Sequence, residues 1–348
     1  NLLYLFILEN TSISGPILKL RSSSDVIIIP HKSPDGDAVG SSLGLMHLLH
    51  KAGIAARVIT EDPFPYFLDF LPGAENIIIW EKNKIVAETL INEADYIIST
   101  DYGQIYRCGE LEKYVRANPC LKMMIDHHPQ PETDAYDFLF HEIAASSTCE
   151  LVFNFAEKYF SDIPLDKTIS TCLYTGLVTD TGCFRYSLYP RTFEAAAALL
   201  RTGIETEYII TKIFDVNTPQ RLKLLGYCLN EKMVIMPEYK TAYIHLTGDE
   251  LRSFGIKKGD TEGIVNYTLS VDGIIFGAFF YEKEDGTTKV SFRSKSTFPA
   301  NEFSSRFFDG GGHRNAAGGQ FKGTVNQAVT HFLNNLPQYK SQLASLHV

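Results

Sequence analysis

His31, Asp35, Asp37, Asp101, the triplet Asp126-His127-His128 and Asp180 are the residues of this chain whose types suit shared chemistry. Carboxylate oxygens and neutral imidazole nitrogens together fit a borderline-hard first-row divalent ion such as manganese, whereas thiolates would point to zinc or an iron–sulfur cluster. No cysteine belongs to this set. In Asp35-Gly36-Asp37 a single residue separates the two carboxylates, and Gly36 permits a backbone turn that aims each at a different ion. When ionised, Asp35, Asp37, Asp101 and Asp180 carry four negative charges, which two dications balance while neutral His31 and His127 add nothing. One ion would leave the site negative, a poor host for a phosphate anion.

Each fragment alone has a plainer reading. An Asp-x-Asp after a strand is commonly a turn or a helix cap, Asp180 could serve a helix end, and His31 could be a satisfied core histidine. Their shared placement outweighs these readings. The runs Val26-Ile27-Ile28-Ile29, Arg57-Val58-Ile59-Thr60, Ile77-Ile78-Ile79-Trp80, Tyr96-Ile97-Ile98-Ser99 and Lys122-Met123-Met124-Ile125 read as buried parallel strands. Three of the four polar fragments come directly after such a run, at the carboxyl edge where open α/β sheets bind their ligands.

The elements that must position these groups follow from the same pattern. Helix-length segments at Val39–Ala52, closed by Gly53, and Lys84–Ala94 alternate with the strands, predicting a doubly wound, mostly parallel α/β sheet. Further helices are expected at Thr148–Tyr159, Asp166–Thr179 and Thr192–Arg201, which puts Asp180 at a helix end. A break at Asn217-Thr218-Pro219 ends a first domain of residues 1–216, and 217–231 reads as a polar linker helix. The remainder, 232–348, predicts a smaller mixed-sheet α/β domain. Its strands are Met233–Met236, Thr241–Leu246, Gly273–Tyr281 and Lys289–Arg293, with a hairpin turn at Asp285-Gly286.

The length of 348 residues fits two domains, and 45% hydrophobic with 21% charged residues is a folded composition. A net charge of −9 argues against tracking long nucleic acid, which requires a broad basic face, and favours short or small phosphorylated substrates. Six scattered cysteines without a CxxC pair suggest neither a disulfide framework nor a zinc site, and a cytoplasmic location is expected. The apolar opening, Leu2 to Leu8, is too short for a membrane span and lacks a basic flank, so neither a signal peptide nor a membrane partner is expected. Arg107 and Arg185, close behind Asp101 and Asp180, are expected in surface salt bridges.

With these motifs in view, the chain resembles the DHH phosphoesterase family, named for the triplet present here as Asp126-His127-His128. The stretch His31 to Leu45 resembles its first motif, Asp101 the second, the triplet the third and Thr179-Asp180-Thr181-Gly182 the fourth. Ser291-Phe292-Arg293-Ser294, followed by Gly310 to Gly319, resembles the DHH-associated substrate domain of the first subfamily. The resemblance implies that His31, Asp35 and Asp101 hold one manganese ion and that Asp37, Asp101, His127 and Asp180 hold a second, with Asp101 bridging. It further implies that Asp126 orients a neighbouring side chain and that His128 contacts the reacting phosphate.

Three successive glycines ordinarily mark a flexible loop. Here the run Gly310, Gly311, Gly312 carries His313 and Asn315 and lies downstream of Arg293 and Ser294, so these residues are expected to grip phosphate. The implied activity is that of a nanoRNase: cleavage of short oligonucleotides to nucleoside monophosphates, with removal of the 3′-phosphate of adenosine 3′,5′-bisphosphate. Linear or cyclic dinucleotide cleavage, inorganic pyrophosphatase and a non-catalytic nucleotide-binding module are the alternatives, and a homodimer is compatible with each.

Overall fold

A computed structural model describes residues 15–23, 25–257, 259–283 and 285–347. The apolar opening from Leu2 to Leu8 lies outside the described residues. The chain divides after Val216 into two compact units.

The first unit holds a six-stranded sheet made of β1 (Val26–Pro30), β2 (Ala56–Thr60), β3 (Ile78–Ile79), β4 (Tyr96–Thr100), β5 (Leu121–Asp126) and β6 (Phe138–His141). Their order across the sheet is β3-β2-β1-β4-β5-β6, and every pairing is parallel. Successive side chains on a strand face opposite sides, so Val26 and Ile28 enter one apolar cluster while Ile27 and Ile29 enter another. The first cluster is closed by α1 (Gly36–Lys51), followed later in the chain by α4 (Thr148–Tyr159) and α5 (Lys167–Asp180). The second is closed by α2 (Lys84–Glu93) and α3 (Glu112–Ala117), through Ala87, Ile91 and Val115. The sheet is therefore doubly wound, and its direction of winding reverses between β1 and β4, which opens a crevice at their carboxyl ends. Two further helices, α6 (Pro190–Arg201) and α7 (Thr206–Phe214), complete the unit.

The expected strands and helices recur with small shifts. Helix α1 begins three residues before the expected Val39 because the Asp35 side chain accepts from the N–H groups of Asp37 and Ala38 and caps it. The sequence reading missed β6, a half-exposed edge strand of sequence Phe-Leu-Phe-His.

The second unit begins with α8 (Pro219–Tyr227), capped by the Thr218 hydroxyl. Leu224 of this expected linker helix is buried with Ile244, Leu246 and Phe279, and Arg221 donates to the carbonyls of Gly259, Asp260 and Glu262. A mixed sheet follows, made of β7 (Met233–Met236), β8 (Thr241–Leu246), β9 (Phe276–Glu282), β10 (Thr287–Ser294), β11 (Gly311–His313) and β12 (Ala316–Lys322). Its order is β11-β12-β10-β9-β8-β7, with only the β8–β9 pair parallel. Phe276, Phe280, Phe292, Phe303, Phe308 and Phe332 dominate its core. The glycine run expected to form a loop is instead largely strand: Gly311, Gly312 and His313 pair with Gly318, Ala317 and Ala316. Backbone hydrogen bonds form that ladder, so an absence of side chains does not forbid it.

Candidate metal centre

All eight residues proposed for the metal site and the reacting centre belong to the first unit, and the structure gathers them at the carboxyl edge of its sheet. Strand β1 delivers His31 and Asp35 on the loop into α1, whose second residue is Asp37. Asp101 follows β4 directly, Asp126 ends β5 with His127 and His128 behind it, and Asp180 is the last residue of α5.

Close helix packing brings Asp180 to this edge. A Cβ on Gly40 of α1 would meet the Cys172 carbonyl of α5 at 2.6 Å, and one on Gly176 of α5 would meet Asp37 Oδ1 at 2.8 Å. Only glycine allows α1 and α5 to approach so nearly. Asp101 takes a left-handed backbone (φ 66°), an uncommon conformation for a non-glycine residue and one that clusters at functional sites.

The ligand-type atoms converge. The His31 Nε2 atom lies 3.4 Å from Asp101 Oδ2 and 4.0 Å from Asp35 Oδ1. For His127, Nε2 lies 3.6 Å from Asp101 Oδ1, 3.6 Å from Asp180 Oδ2 and 3.8 Å from Asp37 Oδ2. Within each of the sets His31–Asp35–Asp101 and Asp37–Asp101–His127, one ligand atom per residue falls inside a 4.8 Å span, and Asp101 belongs to both. The two imidazoles are turned the right way. Nδ1–H of His31 donates to the Lys32 carbonyl (2.8 Å) and Nδ1–H of His127 to the Ala145 carbonyl (3.2 Å), so in its neutral form each presents an unprotonated Nε2 to the carboxylates.

Two supports come from residues the sequence reading did not single out. The first two N–H groups of α4, from Thr148 and Cys149, donate to Asp37 Oδ2 and Oδ1 at 2.6 and 2.9 Å, and the Thr148 hydroxyl donates to Asp101 Oδ1 at 2.9 Å. A helix N-terminus thereby holds one buried carboxylate and steadies the next. Backbone amides carry no residue-type signal, which is why the sequence was silent on what holds Asp37.

Electrostatically the cluster is short of positive charge. Burial, followed by repulsion from Asp101 and Asp180, pushes the Asp37 carboxyl well above its ordinary range. For Asp101, burial acts upward but attraction to His127 and His31 outweighs it, and its carboxyl falls well below that range. Burial would lower His127 and His31, yet the surrounding carboxylates raise both, His127 strongly. Without cations, protons on Asp37 and His127 do the neutralising. Four carboxylates and two outward-turned imidazoles, with N–O separations of 3.4–4.0 Å, beyond hydrogen-bond length, form a donor set that fits divalent ions bound at about 2.0–2.2 Å per ligand.

His128 belongs to neither ligand set as assigned, although its Nδ1 lies 3.7 Å from Asp101 Oδ1. Its Nδ1 lies 2.7 Å from Asp126 Oδ1 and its carbonyl accepts from His141 Nε2, while burial holds its pKa below the ordinary histidine value against the pull of Asp126. The Arg107 guanidinium is near enough to lower both His31 and His128. The salt bridges expected for Arg107 and Arg185 are not found: among the described residues neither forms one, and Arg185 lies over the Tyr186 ring at 5.4 Å.

In the second unit, the expected phosphate-gripping residues share one end of its sheet. Arg293 on β10 pairs with Ala316 of β12 and donates from Nη1 to the Phe292 carbonyl. Ser294 Oγ donates to the Phe298 carbonyl, and Asn315 Nδ2 donates to Ser294 Oγ and the Ser296 carbonyl, so both polar side chains brace the turn after His313. A Cβ on Gly310 would meet the Gly318 carbonyl at 2.1 Å and one on Gly312 the Ala316 carbonyl at 2.6 Å, whereas Gly311 faces open space.

Against known proteins, the model of the DHH family, N-terminal domain, matches residues 25–177 and that of the DHHA1 domain residues 239–341. The probable bifunctional oligoribonuclease and PAP phosphatase NrnA of Streptococcus mutans is 28% identical over 94% of this chain and 99% of its own. The Bacillus subtilis bifunctional oligoribonuclease and PAP phosphatase NrnA is 28% identical over 87% of this chain and 91% of its own. Among solved structures, an exopolyphosphatase-related protein from Bacteroides fragilis is 39% identical, with a TM-score of 0.90 over 97% of this chain and 98% of that one.

Proposed function

The chain belongs to the DHH family, and on that premise we propose that it is a two-metal phosphoesterase. It hydrolyses short oligonucleotides to nucleoside monophosphates and removes the 3′-phosphate of adenosine 3′,5′-bisphosphate. The observation that carries this reading is the convergence of Asp35, Asp37, Asp101 and Asp180 with His31 and His127 at one edge of one sheet. The substrate class follows the two relatives named for oligoribonuclease and PAP phosphatase activity, each matched over nearly its whole length.

His31, Asp35 and Asp101 would hold one divalent ion and Asp37, Asp101, His127 and Asp180 the other, with manganese the choice that the mixed oxygen and nitrogen donors favour. When bound, such a pair supplies a hydroxide at neutral pH and stabilises the oxygens of the reacting phosphate. The protein's own part is positional. Asp35 uses one oxygen to cap α1, the N-terminus of α4 fixes Asp37, and carbonyl contacts fix the tautomers of His31 and His127. His128, with Asp126 behind its Nδ1, turns the other ring nitrogen to a phosphoryl oxygen. An arriving anion favours the imidazolium, whose Nε2–H then donates to the charge that grows there. In the second unit, Arg293 and His313, with the N–H groups of the Gly310–Gly312 run, would bind phosphate oxygens. Cytoplasm is the proposed location, and the six free thiols suit it.

A panel of short RNA, short DNA, adenosine 3′,5′-bisphosphate, cyclic dinucleotide and pyrophosphate, each with Mn²⁺, tests the reading. Short RNA and the bisphosphate are expected to turn over fastest, and Asp101→Ala to lower those rates more than about a hundredfold. Preferential release of phosphate from pyrophosphate would overturn the substrate class. Parent-like turnover by Asp101→Ala would overturn the metal mechanism.

A further inference from the structure

Strand β2 ends at Thr60, and the two residues after it, Glu61 and Asp62, are carboxylates only 2% and 6% exposed. Acidic side chains reach such depth when something holds them there. Here the contacts run to the two loops that carry His31, Asp35 and Asp101.

Asp62 grips Ser33 at two points. Its Oδ1 accepts from the Ser33 N–H at 2.7 Å and its Oδ2 from the Ser33 hydroxyl at 3.0 Å. Ser33 lies midway between His31 and Asp35 and has a left-handed backbone (φ 52°), which a residue with a side chain keeps only under constraint. Glu61 reaches both loops. Oε1 accepts from Lys32 Nζ at 3.0 Å and from the Glu110 N–H at 3.2 Å. Its other oxygen lies over Gly109 (φ 66°), where a Cβ would come within 1.9 Å of it. The loops also meet directly, with the Lys32 N–H donating to the Arg107 carbonyl at 2.8 Å.

We infer that Glu61 and Asp62 are positioning residues that set the spacing of the His31–Asp35–Asp101 ion site. The inference rests on the two-ion reading above and deepens it. The pair's contacts with Lys32, Ser33 and Glu110 fix the backbone on which two of those side chains ride. The Asp37–Asp101–His127–Asp180 set is held separately, by α4 and the α1–α5 packing, so a loss of the Asp62 grip acts on one ion site and spares the other.

The test is calorimetric titration of chelator-stripped protein with Mn²⁺, which reads binding without reference to turnover. Two ions per chain are expected for the parent. In Asp62→Ala one ion keeps the parent affinity and the other binds about tenfold or more weakly. General damage to the fold would not produce so selective a loss. Asp62→Asn, which keeps an oxygen for the Ser33 N–H, recovers most of the affinity. Lys32→Met alters a half-exposed side chain, cuts the Glu61 contact to the same loop, and weakens the same ion about threefold; it carries the test if Asp62→Ala does not fold. A parent that binds fewer than two ions removes the two-ion reading, and this inference with it. A parent that binds two, alongside a folded Asp62→Ala or Lys32→Met that binds both at parent affinity, overturns the inference alone.

Discussion

Asp126 is fully buried with one oxygen on His128 Nδ1, and its other oxygen has no hydrogen-bond partner among the described residues. A charge kept at such depth by one histidine is a costly arrangement unless it acts through that histidine. Asp126→Asn retains a hydrogen-bond acceptor but not the charge, so it is expected to lower kcat about tenfold or more while both ions still bind. Because Asp126 pulls the His128 pKa upward, its loss moves the His128-dependent limb of the pH profile to lower pH. Unchanged kcat with an unchanged profile would contradict the assigned role. The residue scale was also the most legible in the sequence, since Asp and His after a strand announce themselves by type. Thr148 and Cys149 did not, because their contribution to Asp37 is a pair of backbone N–H groups. Glu61 and Asp62 were not singled out in the sequence at all.

At the scale of elements, the parallel strands were legible because buried runs such as Val26–Ile29 have no polar face to confuse the pattern. Two elements were not. Strand β6 is an edge strand without a β-branched residue, and β11–β12 is a ladder of glycines and alanines whose pairing no side-chain alternation records. The α1–α5 contact predicts a specific fragility: Gly176→Ala drives a methyl to within 2.2 Å of Cys149 Sγ and 2.8 Å of Asp37 Oδ1. Destabilisation of about 1–3 kcal/mol in denaturant melts is expected, along with weakened Mn²⁺ binding. A variant as stable as the parent would show that the helices can part without cost.

In the second unit, Glu250 closes the capping box of α9 (Gly248–Phe254) with Thr247 and accepts from Tyr227 and Lys232. Burial would raise its carboxyl, but those contacts outweigh it and hold the pKa down to about 2 from 4.5. A carboxylate with a depressed folded pKa stabilises above its unfolded value and loses that contribution as pH falls through the folded one. Glu250→Ala is therefore expected to cost about 2 kcal/mol at neutral pH, and the gap to the parent should close between pH 4.5 and about 2. A gap that persists in acid would mean that packing, not charge, accounts for the loss.

At the scale of the whole molecule, charge connects stability to function. Without metal, Asp37 and His127 both have raised folded pKa values, so the native state binds more protons than the unfolded one and its stability falls as pH rises. The window opens near the unfolded carboxylate value, about 4, and runs past the ordinary histidine value of 6.5. Chelation should accordingly lower the melting temperature more at pH 8 than at pH 5.5, with added Mn²⁺ restoring it. A pH-independent effect would contradict the crowding of carboxylates. The net charge of −9 points the same way for substrates, since a long strand gains little from a chain of net negative charge. The chain divides after Val216 into its two compact units, and the helix expected as a linker buries Leu224 in the second unit's own core.

The central claim is that residues far apart in sequence cage two cations in the first unit, and anomalous diffraction from crystals soaked in Mn²⁺ tests it most directly. Two peaks are expected, one bounded by His31, Asp35 and Asp101 and the other by Asp37, Asp101, His127 and Asp180. A map with no anomalous density at Asp101 would contradict the account.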